Sequence, residues 1–248
     1  MKTTDAHHSI NQQSSNIVAT GHSVLARTYD VDPQGAYLTR LVDSKGMPIL
    51  APLTTIESTG KKRGGCHVCM PYFGADVNGR PQHGFGRDLE WHIEAGEYST
   101  CAYFEADVPG WEGFRAQLEY TPSHDRFTMK LTVFNGGVET LRVSPGFHPY
   151  FALTSNTAEF DGAPLNANEF GEASFVEGST HVLKTDTHTV TLHSDELQTW
   201  ALWSDRLGDY FCVEPTFRGP SHAAGIEPLD GELLAPGEER AYSFSISW

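Results

Sequence analysis

The sequence predicts an all-β protein built as a large antiparallel β-sandwich. Apolar residues recur at every second position over many short stretches, the signature of strands with one buried face. Those stretches are punctuated by 24 Gly and 14 Pro, the residues that make tight turns. No comparable helical stripe alternates with them, as a doubly wound α/β sheet would require.

The chain of 248 residues suits a single domain, since all-β sandwiches often reach this size around one core. Residues 1–15 are polar, without apolar period, and read as a flexible arm; residues 16–248 are expected to form the sandwich. Strands are expected at Ser23–Tyr29, Ala36–Val42 and Tyr98–Ala106. The alternation is clearest over Phe114, Ala116, Leu118 and Tyr120, and again over Phe127, Met129, Leu131 and Val133. The second of these runs into Asn135-Gly136-Gly137 and then Val138–Val143, which predicts a hairpin. The polar, poorly periodic stretch Asn156–Gly178 reads as a long excursion over the sandwich. Further strands are expected at His188–Leu192, Thr199–Trp203, Tyr210–Val213 and Ala241–Trp248, with Pro215 stopping the ladder after Glu214.

Composition narrows the partners. Seventeen Lys+Arg against 32 Asp+Glu give a formal net charge of -15, which repels nucleic acid and anionic membrane surfaces. An anionic substrate would need a local basic cluster. No stretch approaches the roughly 20 apolar residues of a membrane span, and the N-terminus lacks a signal-peptide core, so a cytoplasmic protein is expected. Cys66 and Cys69 form one C-x-x-C, where a structural zinc site normally wants two such pairs, so reduced, mostly buried thiols are expected. Nothing in the sequence fixes an oligomeric state.

There is no G-x-S-x-G elbow, G-x-x-x-x-G-K-[ST] loop or G-x-G-x-x-G fingerprint, which removes the usual support for serine hydrolase, P-loop and Rossmann chemistry. Three polar constellations remain. Arg63-Gly64-Gly65, with Pro71-Tyr72-Phe73-Gly74 and Gln82-His83-Gly84-Phe85-Gly86-Arg87, lets backbone and guanidinium approach a ligand, or else is a set of turns with solvated arginines. His148-Pro149-Tyr150-Phe151 sets an imidazole on extended backbone among aromatics, as a proton donor near neutral pH or a half-buried structural His. Val213-Glu214-Pro215 sets a carboxylate on an apolar strand, where desolvation raises its pKa; such a Glu can be a base or half of a structural ion pair.

In this order, and with the closing Leu234-Ala235-Pro236-Gly237-Glu238, these segments resemble the aldose 1-epimerase (galactose mutarotase-like) superfamily, closest to its glucose-6-phosphate 1-epimerase-like branch. The likeness spans Ile17–Trp248. It implies a supersandwich fold and a cofactor-free mutarotase that interconverts the anomers of a hexose or hexose 6-phosphate. It further implies Glu214 as base, His148 as acid, His83 as a substrate-binding residue and Arg63 and Arg87 as a phosphate clamp, with Lys61 and Lys62 adding to the local field. Asp205 is the candidate for a further substrate-binding carboxylate. Cys66-His67 stands where the branch usually has Ile-Pro. Trp91, Tyr72 and Phe151 are candidates for stacking on the sugar. Two other readings compete: a non-catalytic carbohydrate-binding protein of the same fold, and a cupin-like metal enzyme using His83, Glu90 and His92.

Overall fold

The computed structural model describes residues 19–20, 28–74, 81–217 and 231–248. The expected arm at 1–15 and most of the expected strand Ser23–Tyr29 lie outside these residues. Nearly all regular structure is β, in two large antiparallel sheets. The first, here the site sheet, runs Ala19–Thr20, Tyr29–Asp32, Tyr37–Leu41, Cys66–Cys69, Gly146–Ala152, Tyr210–Thr216, Thr199–Trp203, Ser174–Glu177. The second, the cover sheet, runs Ala163–Asn166, Thr157–Phe160, Thr180–Lys184, Thr189–His193, Glu239–Ser247, Arg126–Asn135, Phe114–Pro122, Thr100–Glu105, His92–Ala95.

The core lies between the sheets. Val68, Phe147, Phe151, Trp200, Phe211 and Val213 face it from the site sheet; Leu118, Met129, Leu131, Val133, Phe244 and Ile246 meet them from the cover sheet. Phe244 touches both Phe147, at 5.7 Å between ring centroids, and Trp200, at 6.0 Å. Period-two alternation puts one face of each strand into this interface, as in other sandwiches.

Three local expectations are corrected. Asn135-Gly136-Gly137 does not turn a hairpin into Val138–Val143: strand Arg126–Asn135 pairs with Phe114–Pro122 and Glu239–Ser247, while Leu141–Val143 pairs with Glu232–Leu234 in a small separate sheet. Neither Gly136 nor Gly137 adopts the positive φ that a primed hairpin turn needs. Instead the buried Asn135 side chain donates to the Glu139 and Leu234 carbonyls and accepts from the Gly137 N–H, which steers the chain away from the sheet. Asn156–Gly178 is not an irregular excursion; it contributes the edge strand Ala163–Asn166 and its neighbour Thr157–Phe160 to the cover sheet and one strand, Ser174–Glu177, to the site sheet. Pro215 does not end its strand, which continues to Thr216 and pairs Trp200 with Pro215; a missing N–H removes one ladder bond, not the strand.

Candidate active site

The face of the site sheet turned away from the core carries the polar constellation. Register explains how. His67 is the cross-strand partner of His148. The pairs Gly146–Thr216 and Tyr150–Cys212 bracket His148 opposite Glu214, and Glu214 pairs with Ala201, which pairs with Phe175. Alternation puts all five on one face, so a single transverse row reads His67, His148, Glu214, Ala201, Phe175. All five line one cavity of about 750 Å³. Its remaining wall includes Tyr37, Arg63, Phe73, His83, Arg87, Tyr150 and Trp203, with Lys61 and Lys62 also lining it. Ala201 faces the carboxylate with only a methyl group, which leaves room over it.

His148 Nε2 lies 3.4 Å from Glu214 Oε2, with side chains only 6% and 3% exposed. Burial pushes the His148 pKa well below the ordinary imidazole value, aided by the positive field of His67, His83, Arg87 and Arg63. Burial alone pushes Glu214 well above the ordinary carboxylate value. The His148 ring is clamped between His67 (4.7 Å, 25°) and Tyr150 (4.7 Å, 15°), with Trp203 edge-on at 5.8 Å. His148 Nδ1 is buried without a hydrogen-bond partner among the described residues, a cost of about 1–3 kcal/mol.

The other expected site residues fall around this pair. His83 stands 5.3 Å from the His148 ring; its backbone sits in the left-handed region at φ 63, and its Nδ1 accepts from the Gly74 N–H. Arg87, on the one-turn helix Gly86–Asp88, donates to the Gln82 carbonyl and to His67 Nε2, and makes no ion pair among the described residues. Arg63 donates from Nε to Asp205 Oδ2 at 2.6 Å and lies over the Trp203 ring at 5.5 Å. Asp205 does not line the cavity. It is held by the Tyr210 hydroxyl and the Leu207 N–H, and the Arg63 pairing and these hydrogen bonds outweigh its desolvation and lower its pKa. Gly64 and Gly65, at φ 103 and 62, set the bend that carries Arg63 and His67 to the same wall; a Cβ on Gly65 would stand 2.1 Å from the Leu38 carbonyl oxygen.

Two sets of residues are reassigned. Trp91, Tyr72 and Phe151 do not reach the cavity: all three are buried away from it, and the Trp91 indole donates to the Gly86 carbonyl. The aromatic wall is Tyr37, Phe73, Tyr150, Phe175 and Trp203, of which alternation from His148 could have flagged Tyr150. His83, Glu90 and His92 do not form a metal cluster: Glu90 and His92 are exposed and His92 faces Glu94 at 3.4 Å. Among the described residues the gathered ligand set is His148, Cys212 and Glu214. His67, central to the site, stands out in the sequence only as part of the Cys66-His67 departure from Ile-Pro; its place beside His148 is set by cross-strand register.

Residues 60–175 match the family model described as Aldose 1-epimerase. No curated protein matches the sequence. Among solved structures, a putative aldose 1-epimerase from Escherichia coli K12 superposes with a TM-score of 0.76 at 18% identity, over 93% of this chain and 98% of that one. A galactose mutarotase-like protein from Lactobacillus casei gives 0.73 at 15% identity, over 88% and 96%. A GalM/aldose epimerase homologue from C. elegans gives 0.66 at 11% identity, over 92% and 97%. The chain therefore has the galactose mutarotase-like fold, and its stretch 60–175 is similar to the aldose 1-epimerases.

Proposed function

We propose that this protein is an aldose 1-epimerase acting on a hexose that carries an anionic group, a hexose 6-phosphate being the simplest case. Glu214 is the base and His148 the acid. The observation that carries this reading is the 3.4 Å approach of His148 Nε2 to Glu214 Oε2 in the wall of the cavity. The family match over 60–175 supports the reaction class.

The buried pair holds one exchangeable proton. With the proton on Glu214 both groups are uncharged; with it on His148 an imidazolium faces a carboxylate. Burial favours the first arrangement and the close contact favours the second. In the forward direction the Glu214 carboxylate takes the anomeric hydroxyl proton while the His148 imidazolium protonates the ring oxygen. The bond between C1 and the ring oxygen breaks and the aldehyde forms, leaving both groups uncharged. Rotation about C1–C2 presents the other carbonyl face, and reclosure returns each proton to its origin. A positioned acid or base contributes about 10²–10⁴-fold each, which suffices for a reaction that sugars undergo slowly in water.

The anionic group follows from the charges. Arg63 is compensated by Asp205, so Asp205 serves the site through Arg63. Among the described residues Arg87 meets no carboxylate, and Lys61 and Lys62 line the same cavity. His83 completes the sugar's polar contacts. This local positive cluster opposes the net charge of -15 and offers a fork suited to phosphate.

Anomer exchange followed by NMR on glucose 6-phosphate, glucose and galactose tests the reading. Acceleration with the phosphate, lost in a folded Glu214→Gln variant, is expected. Equal acceleration of the free sugars would keep the pair and discard the anion site. Tight binding without acceleration would make the chain a carbohydrate-binding protein of the same fold.

A further inference from the structure

His67 occupies the cavity wall with every ring atom accounted for. A guanidinium has donors only, so the 3.3 Å contact from Arg87 Nη1 leaves His67 Nε2 as acceptor. The ring proton then sits on Nδ1, 3.2 Å from Tyr37 Oη, and the Tyr37 hydroxyl donates onward to the Gly64 carbonyl at 3.0 Å. The chain of donors runs in one direction, Arg87 to His67 to Tyr37 to Gly64, and fixes the tautomer. The ring itself is 3% exposed and stacked on His148. Burial and Arg87 push its pKa well below the ordinary imidazole value, so it remains neutral beside the guanidinium.

We propose that His67 is a specificity-determining positioning residue: by accepting from Arg87 while stacked on His148, it fixes the distance between the anion-binding guanidinium and the acid–base pair. The inference rests on reading the cavity as a hexose phosphate site. Two N–H groups of Arg87, those on His67 and the Gln82 carbonyl, are spent on holding it in place; among the described residues nothing takes the other three of its five donors, which suit an anion. A ring at His67 that cannot accept releases one of these two restraints. The guanidinium then no longer sits at one distance from His148, and the preference for a phosphorylated sugar weakens.

The readout is the ratio of affinities for glucose 6-phosphate and glucose, measured by calorimetry on the full chain. His67→Phe keeps an aromatic stack and removes the acceptor. The ratio should fall about tenfold, the scale of one charge-assisted hydrogen bond. His67→Gln restores an acceptor oxygen and should recover most of the ratio. Tyr37→Phe frees the tautomer and should lower the ratio by about threefold, which decides the matter if His67→Phe does not fold. An equal weakening for both sugars, or no recovery with Gln, would reduce His67 to a packing role and overturn the inference, as would a wild-type protein with no preference for the phosphate. Loss of the proposed catalysis is separately visible: binding preference intact but no anomer exchange in wild type refutes the epimerase reading and leaves the His67 inference standing.

Discussion

In the cover sheet, strand Arg126–Asn135 alternates: Phe127, Met129, Leu131 and Val133 are buried, whereas Lys130 between them is exposed. In the site sheet, strands Gly146–Ala152 and Tyr210–Thr216 are buried on both faces almost without interruption. The cover sheet has water on its second face; the site sheet has a cavity wall there. A polar side chain on the first kind of face costs nothing and does nothing. On the second kind it is desolvated, and desolvation is what moves the proton affinities of His148 and Glu214 toward each other. The proposed chemistry therefore falls on the face where burial is costly, and the core face of both sheets supplies the stability that tolerates it.

The largest effect that sharpens this contrast is on rate. Glu214→Gln should lower anomer exchange by about 10²–10⁴-fold without lowering the melting temperature, since it removes a buried carboxyl; Lys130→Gln should leave exchange unchanged. An equally large loss from Lys130→Gln would erase the distinction between the two outer faces. On the shared core face the expectation reverses. Phe147→Ala, fully buried between the sheets, should cost about 3–5 kcal/mol in denaturant unfolding.

The bend feeding the site should respond next. Gly65→Ala forces a Cβ against the Leu38 carbonyl at a left-handed φ and should cost about 1–3 kcal/mol, with weakened sugar binding because Arg63 and His67 flank the bend. Smaller is the pH effect. The proposed mechanism needs one proton on the pair. The lowered His148 takes a second proton only below its ordinary value of 6.5, and the raised Glu214 releases the shared one only above its ordinary 4.5. The acid limb of kcat/KM should thus lie below pH 6.5; an acid limb at or above it would mean that His148 is not sheltered. The smallest effect belongs to the stability of Lys130→Gln, within about 0.5 kcal/mol.

Much of this was legible before the structure. The alternation over Phe114–Tyr120 and Phe127–Val133 reports a half-buried strand directly, because its period is a local property. His148 and Glu214 stood out as single polar residues in apolar runs. The hairpin expected at Asn135-Gly136-Gly137 failed because a buried Asn side chain, satisfied by the Leu234 carbonyl 99 positions away, overrode a local turn signal. Asp205 was expected to touch the sugar, and the structure instead pairs it with Arg63 across 142 positions.

What the sequence alone determined is the class of fold and the identity of the groups able to carry charge on buried strands, since both depend on residue type and short spacing. Only the tertiary structure decided that His67, His148 and Glu214 form one row, that Arg63 is compensated by Asp205 while Arg87 meets no carboxylate among the described residues, and that Tyr150 and Trp203 wall the cavity. The reason is register: antiparallel pairing between strands far apart in the chain sets which residues stand opposite one another, and a slip of one residue would turn every one of them to the other face.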